Sequence, residues 1–203
     1  MTLPALGARI IALAVLGSFL AVGFGAQRQL PAADLVRKLQ VESSTDDAAK
    51  QLVQLAKTDR GARDYLVAHL PAIVERNPYE NPRPWTNAVK LAGELKITEA
   101  VPALAKWIGI DDMESNALTM AEIMRLELNP AAKALAQIGD PAVPAVSQVL
   151  EGGNRKEKRY AVYVLVQIHS PAATQALAED ADHESDLPLK RLIDRIVARN
   201  TQK

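Results

Sequence analysis

Three histidines are the first candidates for catalysis or metal binding, because imidazole is the side chain that titrates near neutral pH. His69, His169 and His183 are far apart in the sequence, and none belongs to an HExxH or His-x-His arrangement. The chain has no cysteine, so it contains neither a thiol nucleophile nor a disulfide. It also has no nucleophile elbow and no phosphate-binding glycine loop. These residues predict a protein that is not an enzyme and binds no metal or cofactor.

Two charged runs are candidate binding sites. Acidic residues alternate through EDADHESD (Glu179 to Asp186), as they do in calcium loops, but the loop glycine is missing and Arg191 replaces the bidentate glutamate. We therefore expect a solvated acidic loop. The densest basic run is NRKEKR (Asn154 to Arg159), and it is interpreted as a solvated helix start. Its alternative is contact with an acidic protein or anionic lipid head groups.

The formal net charge of the chain is zero. Nucleic-acid-binding domains carry a clear basic excess, so no nucleic acid is expected as a partner.

The stretch AQIGDPAVPAVSQVL (Ala136 to Leu150) indicates two helices joined by a tight corner. Gly139 suits the left-handed position that closes a helix. Asp140 is predicted to cap the next helix and Pro141 to occupy its N1 position, where no N–H is needed. Apolar residues at helical spacing follow the corner.

The corner recurs at Leu91–Ile108, with Lys96 in place of the glycine, and at Val164–Asp180, with His169 in that place. Such recurrence is typical of repeat proteins. The three segments resemble HEAT repeats of the short, bacterial, bilin-lyase-like type, whose pattern is roughly A-L-G-x-I-G-D-P-x-A-V-P-A-L. The resemblance covers about residues 82–180 and implies an all-α fold, an α-solenoid of stacked helical hairpins.

Apolar periodicity predicts further helices at about 30–39, 48–57, 61–76, 84–96, 99–109, 114–127 and 187–199. Ser44 or Thr45 is expected to cap the second of these helices, Asn129 the helix that begins at Pro130, and Ser170 the helix that begins at Pro171. The predicted domains are a signal peptide or membrane anchor at 1–26, a short helix and linker at 27–47, and the solenoid at 48–203.

The N-terminal segment has one basic residue, Arg9, followed by 17 apolar or small residues from Ile10 to Ala26. This pattern is typical of a signal peptide or of an N-terminal hydrophobic helix that anchors the chain in a membrane. Gly17, Ala21 and Gly25 are spaced for close packing of membrane helices. We expect an exported, membrane-anchored protein facing the periplasm or the outside. The alternative is cleavage after Gly25 and a soluble periplasmic or secreted product.

In HEAT-like hairpins the second helix lines the concave surface, and this rule nominates binding residues. Lys106 and Trp107 are predicted to point away from the core, and Gln148 and Val149 are their equivalents 42 residues on. Trp107 and Val149 would then form an apolar strip in a groove. This strip is a candidate binding surface because tryptophan is enriched at binding hot spots. The alternative is that Trp107 folds back into the core. Tyr79 and Trp85 form a second candidate patch.

These observations predict a non-catalytic protein-binding scaffold, or an accessory or assembly subunit of a membrane-associated or periplasmic complex. Its partners would be proteins, an integral membrane complex among them, with the N-terminal helix in the membrane. The alternatives are an enzyme subunit similar to bilin lyases and a DNA-binding HEAT-like module.

Overall fold

The computed structural model describes residues 31–110 and 129–200. Over these ranges the chain forms ten α-helices and two 3-10 turns, with no strand, so the predicted all-α class is confirmed. The helices are α1 (Pro31–Leu39), α2 (Thr45–Thr58), α3 (Arg60–Val74), α4 (Pro82–Glu94), α5 (Val101–Lys106), α6 (Pro130–Ile138), α7 (Val143–Gly152), α8 (Arg155–Ile168), α9 (Pro171–His183) and α10 (Leu187–Asn200). The 3-10 turns are Thr98–Ala100 and Asp140–Ala142.

Two of the predicted helix caps are confirmed. The Asn129 side chain accepts the N–H of Ala132 at the start of α6, and the Ser170 hydroxyl accepts the N–H of Ala173 at the start of α9. Each bond satisfies a backbone donor that the first helical turn leaves free. Ser44 occupies the N-cap of α2, but its hydroxyl accepts no backbone N–H there and donates to the carbonyl of Lys38, so the predicted cap is not formed.

The recurring corner has the same backbone feature at all three positions. Lys96, Gly139 and His169 have φ angles of 52°, 86° and 53°, and no other described residue has a positive φ. His169 is left-handed and ends α8. Gly139 combines its positive φ with a ψ of −144°, a conformation that side chains disfavour strongly. A positive φ therefore recurs at all three corners, although glycine supplies it only once. The corners are not identical, because His169 has a ψ of 41° whereas Gly139 lies outside the left-handed helical region that the sequence predicted for it.

The predicted role of Asp140 is wrong. Asp140 begins a 3-10 turn, and α7 starts three residues later with Ala142 at its N-cap and no side-chain hydrogen bond there. The turn is closed by the N–H of Ala142, which donates to the carbonyl of Gly139 at 2.8 Å. Pro141 consequently lies in this turn and not at the N1 position of α7, whose first turn contains Pro144 instead.

The helices contact one another in two alternating rows. In the first row α2, α4, α6, α8 and α10 contact in succession, and in the second row α1, α3, α5, α7 and α9 do the same. One core of buried apolar residues extends from Ala32 in α1 to Ile193 in α10. The sequence placed a short helix in a separate segment before residue 48. That helix is α1, and it belongs to the common core because Ala32, Val36 and Leu39 are buried.

The α4–α6 contact of the first row is tight at Gly93. A Cβ atom added to Gly93 of α4 would lie 2.8 Å from the Cα of Ala134 in α6. Alanines continue the contact, because Ala88 and Ala92 of α4 and Ala131 of α6 are fully buried. Small side chains thus let the two helix backbones pack directly.

Two sequence predictions fall outside the described residues. They are the hydrophobic N-terminal helix, with Gly17, Ala21 and Gly25, and the helix at about 114–127. Among the helices at 31–110 and 129–200, none combines the length and apolarity needed to cross a bilayer.

Candidate functional site

Three of the predicted binding residues line one groove between α5 and α7. Lys106 of α5 and Gln148 and Val149 of α7 border this open groove, whose volume is about 730 Å³. We call it the α5–α7 groove. The structure therefore brings together residues that are 42 positions apart in the sequence.

Most side chains in the walls of the α5–α7 groove are apolar, and three of them belong to prolines, which have no backbone N–H to donate. Pro102 lies in the first turn of α5, Pro141 in the preceding turn of the other wall and Pro144 in the first turn of α7. Proline is tolerated at these positions because the first helical turn needs no N–H. The same residues that start the helices therefore present ring carbons to the groove, next to Ala105 and Ala145.

Glu157, at the start of α8, also lines the α5–α7 groove. Its carboxylate accepts the N–H of Asn154 at 2.8 Å, and Asn154 in turn caps α8. A Cβ added to Gly109 would lie 2.8 Å from the Glu157 Cγ, and one added to Gly153 would lie 3.0 Å from its Cβ. The start of α8 is thereby held between the chain segments that follow α5 and α7.

Trp107 does not line the groove. Its indole N–H donates to the carbonyl of Glu75 at 3.3 Å, and the ring is half-buried against the core. The Lys106 ammonium lies 4.9 Å from the ring centroid and also pairs with the Glu75 carboxylate. These contacts attach the end of α5 to the end of α3.

The predicted Trp107–Val149 strip is wrong because α5 is shorter than predicted. The helix ends at Lys106, and Trp107 has left the helical conformation with φ −103° and ψ 13°. Val149, by contrast, still lies inside α7. Trp107 is neither fully exposed nor a fully buried core residue, so it falls between the two alternatives that the sequence left open.

The second predicted patch is not formed. Tyr79 is 73% exposed, but Trp85 is 4% exposed, and its indole N–H donates to the carbonyl of Val74 at 2.9 Å. Trp85 as a binding residue is therefore wrong. Trp85 lies on the face of α4 that packs onto α3, and its indole reaches the last residue of that helix.

The two charged runs pair with each other. Arg155 lies 2.7 Å from Asp186, and Lys158 lies 2.9 Å from Glu184. The prediction of a solvated acidic loop is wrong in part: Glu179 and Asp182 are exposed, but Asp180 and Glu184 are each only 8% exposed. The run is also helical up to His183, where α9 ends. Burial depends here on the packing of α8 against α9 and α10, which the local sequence does not reveal.

Burial affects the two acids differently. Burial raises the pKa of Asp180, and its Oδ2 atom has no hydrogen-bond partner. Burial also opposes ionisation of Glu184, but the N–H of Asp186 and the Lys158 ammonium hold its pKa below the ordinary value. Within the described ranges, no three acidic or histidine side chains are grouped so that they could hold a metal.

The histidines are engaged locally. His69 stacks on Tyr65 with ring centroids 3.9 Å apart, and its Nδ1 lies 2.8 Å from the Tyr65 carbonyl oxygen. The His183 Nδ1 lies 3.0 Å from the Glu179 carbonyl oxygen. His169 ends α8 in the left-handed conformation. Their contacts therefore give them structural roles.

A second groove, which the sequence did not predict, lies between α2 and α4. Its volume is about 600 Å³, and Lys50 and Lys90 stand on its two walls. We call it the α2–α4 groove. Exposed lysines on predicted helices are too common to mark a site, so only the pairing of these two helices reveals it.

In comparisons with known proteins, no family model matches the chain and no curated protein matches it significantly.

Proposed function

We propose that this chain is a non-catalytic protein-binding scaffold built as an α-solenoid of HEAT-like repeats. Two observations support the solenoid: the two rows of successively contacting helices and the positive-φ corner at Lys96, Gly139 and His169. Stacked hairpins of this kind offer long grooves between consecutive helices of a row. The resemblance of residues 82–180 to HEAT repeats implies the same architecture.

The α5–α7 groove is the proposed partner-binding surface, and its apolar lining is the observation that carries the proposal. Exposed Pro102, Pro141 and Pro144 and half-buried Val149 border a concave space. Concave apolar surfaces with few polar groups are where proteins bind partners and ligands. The partner would insert apolar side chains between the prolines, with Lys106 and Gln148 as polar contacts at the rim.

The scaffold would work at a membrane. The uncharged run from Ile10 to Ala26 supports export and anchoring by the N-terminal segment. The protein would then be an accessory or assembly subunit that holds a component of a membrane-associated or periplasmic complex. The DNA-binding alternative is not favoured, because Arg155 and Lys158 of the basic run are occupied by Asp186 and Glu184.

Co-purification from membranes tests the proposal. The tagged full-length chain is extracted in mild detergent, its partners are identified by mass spectrometry, and the affinity for the purified partner is measured. Val149→Asp places a charge in the groove and should weaken binding about tenfold or more, as for a hot-spot residue. Val166→Asp in α8 is the matched control, since Val166 is also half-buried but does not line the groove.

The control should retain the partner. If both variants release the partner equally, the loss reflects damage to the fold, and the groove has no specific role. If neither variant weakens binding, the partner uses another surface. Chromophore or substrate turnover by the isolated chain would instead support the enzyme alternative.

A further inference from the structure

The α2–α4 groove has an apolar floor between two charged ends. Ala49 and Val53 of α2 and Leu91 of α4 line it, and its walls are the sides of two adjacent helices of the first row. This surface is separate from the α5–α7 groove, which lies in the second row.

Ion pairs between the two helices neutralise the acids at both ends of the groove. Asp46 of α2 lies 2.6 Å from the Arg83 guanidinium of α4 and accepts a hydrogen bond from the Asn87 amide at 2.7 Å. The Asn87 hydrogen bond, followed by Arg83, keeps the Asp46 pKa below its ordinary value, so this acid stays ionised. Glu94 of α4 lies 3.1 Å from the Lys57 ammonium of α2.

The two lysines between these ends have no such partner. Lys50 and Lys90 are exposed, line the groove, and belong to none of the ion pairs of the described residues. Lys50 acts on Asp46 only through its longer-range electrostatic field. With the acids at both ends already neutralised, the groove carries two positive charges in excess.

We propose that the α2–α4 groove binds an acidic, partly apolar segment of a partner protein. Apolar side chains of the segment would cover the half-buried Ala49 and Val53, and one or two carboxylates would lie between Lys50 and Lys90. Opposite charges arranged in this way fix the register of a bound segment and select against partners of the wrong charge.

The charge pattern favours a peptide over a nucleic acid or a lipid surface. A nucleic acid or an anionic bilayer presents many negative charges to a row of cations. Here only Lys50 and Lys90 offer unpaired charge, and the rest of the groove lining is uncharged or already ion-paired. A segment with one or two acids at its centre matches these two lysines and also uses the apolar floor.

Selection from a random peptide library displayed on phage tests this proposal, because it requires no identified partner. The bait is the purified full-length chain in zwitterionic nanodiscs, with empty nanodiscs for counter-selection. The peptides recovered should be rich in Asp or Glu flanked by apolar residues. A fluorescent copy of the best peptide, and a second copy with Gln for Glu and Asn for Asp, are then titrated against the chain by anisotropy.

The double variant Lys50→Gln with Lys90→Gln should bind the acidic peptide about tenfold more weakly than the wild type, because two exposed ion pairs are lost. It should bind the neutral copy as the wild type does. Lys133→Gln is the matched control: Lys133 is exposed on α6, 43 residues after Lys90, and does not line the groove. That variant should change the affinity by less than about twofold.

Three results would overturn the proposal. The recovered peptides could lack acidic residues or be absent altogether. The double variant could bind the acidic peptide as tightly as the wild type, or no more weakly than Lys133→Gln does. Phosphatidylserine vesicles could bind in a Lys50- and Lys90-dependent way while no acidic peptide does, which would assign the groove to lipid head groups. None of these results depends on whether Val149 contributes to the other groove.

Discussion

The contact between α4 and α6 is closed, whereas the space between α5 and α7 is open, although both pairs join the same two parts of the chain, α4–α5 and α6–α7. At the α4–α6 contact, Gly93 and Ala134 let the backbones meet. At the α5–α7 groove, prolines and Val149 border an open space of about 730 Å³. The first row therefore packs backbone against backbone here, and the second row provides a surface.

Trp85 and Trp107 differ in burial, and replacing them with alanine gives the largest expected difference in the free energy of unfolding. Trp85 of α4 is 4% exposed, so Trp85→Ala should destabilise the fold by about 3–5 kcal/mol. Trp107 beside the open groove is only half-buried, so Trp107→Ala should cost clearly less, about 1–2 kcal/mol. Urea unfolding of both variants measures the difference, and equal losses would contradict the two placements.

A pair of glycines tests the packing directly. Gly93→Ala forces a methyl group against the backbone of Ala134 and should destabilise by about 1–3 kcal/mol. Gly152→Ala at the end of α7 meets nothing within 4 Å, so it should be neutral or stabilise by up to about 1 kcal/mol. If thermal unfolding shows that Gly93→Ala leaves the melting temperature unchanged, the α4–α6 contact is looser than described.

Asp180 in α9 gives a smaller effect that depends on pH. Its pKa is raised by burial, so its ionised form destabilises the fold at neutral pH. Asp180→Asn removes that charge and should stabilise by about 1 kcal/mol at pH 7.

The gain in Asp180→Asn should shrink as the pH falls through the raised pKa of Asp180, because the wild-type carboxyl is then neutral as well. The Lys158–Glu184 pair is present in both proteins, so their difference isolates Asp180. Melting curves from about pH 7 to pH 4 measure it. A gain that stays constant or grows towards acid pH would contradict the raised pKa.

The corner before α7 gives the smallest effect. Asp140 caps no helix, so Asp140→Ala should change the free energy of unfolding by less than about 0.5 kcal/mol. Ser170→Ala is its counterpart, because Ser170 does cap α9, and it should cost about 1 kcal/mol. A loss of about 1 kcal/mol or more in Asp140→Ala would restore the cap that the sequence predicted.

The helices and corners were predictable because local rules determine them. Gly139, Asn129 and Ser170 each act on a backbone within three residues of themselves. The grooves depend instead on which helices become neighbours and where each one ends. A helix that ends at Lys106 rather than 109 changes the position of Trp107, and no local pattern in the sequence indicated that end.

The most direct test of the proposed scaffold is photocrosslinking in cells from a single position of the α5–α7 groove. A photoreactive amino acid replaces Gln148, which is exposed in the groove, or Gln175, which is exposed on α9 outside it. We predict that Gln148 yields a discrete crosslinked protein, identified by mass spectrometry, and that Gln175 does not. No crosslink from Gln148, or the same crosslink from both positions, would contradict partner binding in this groove.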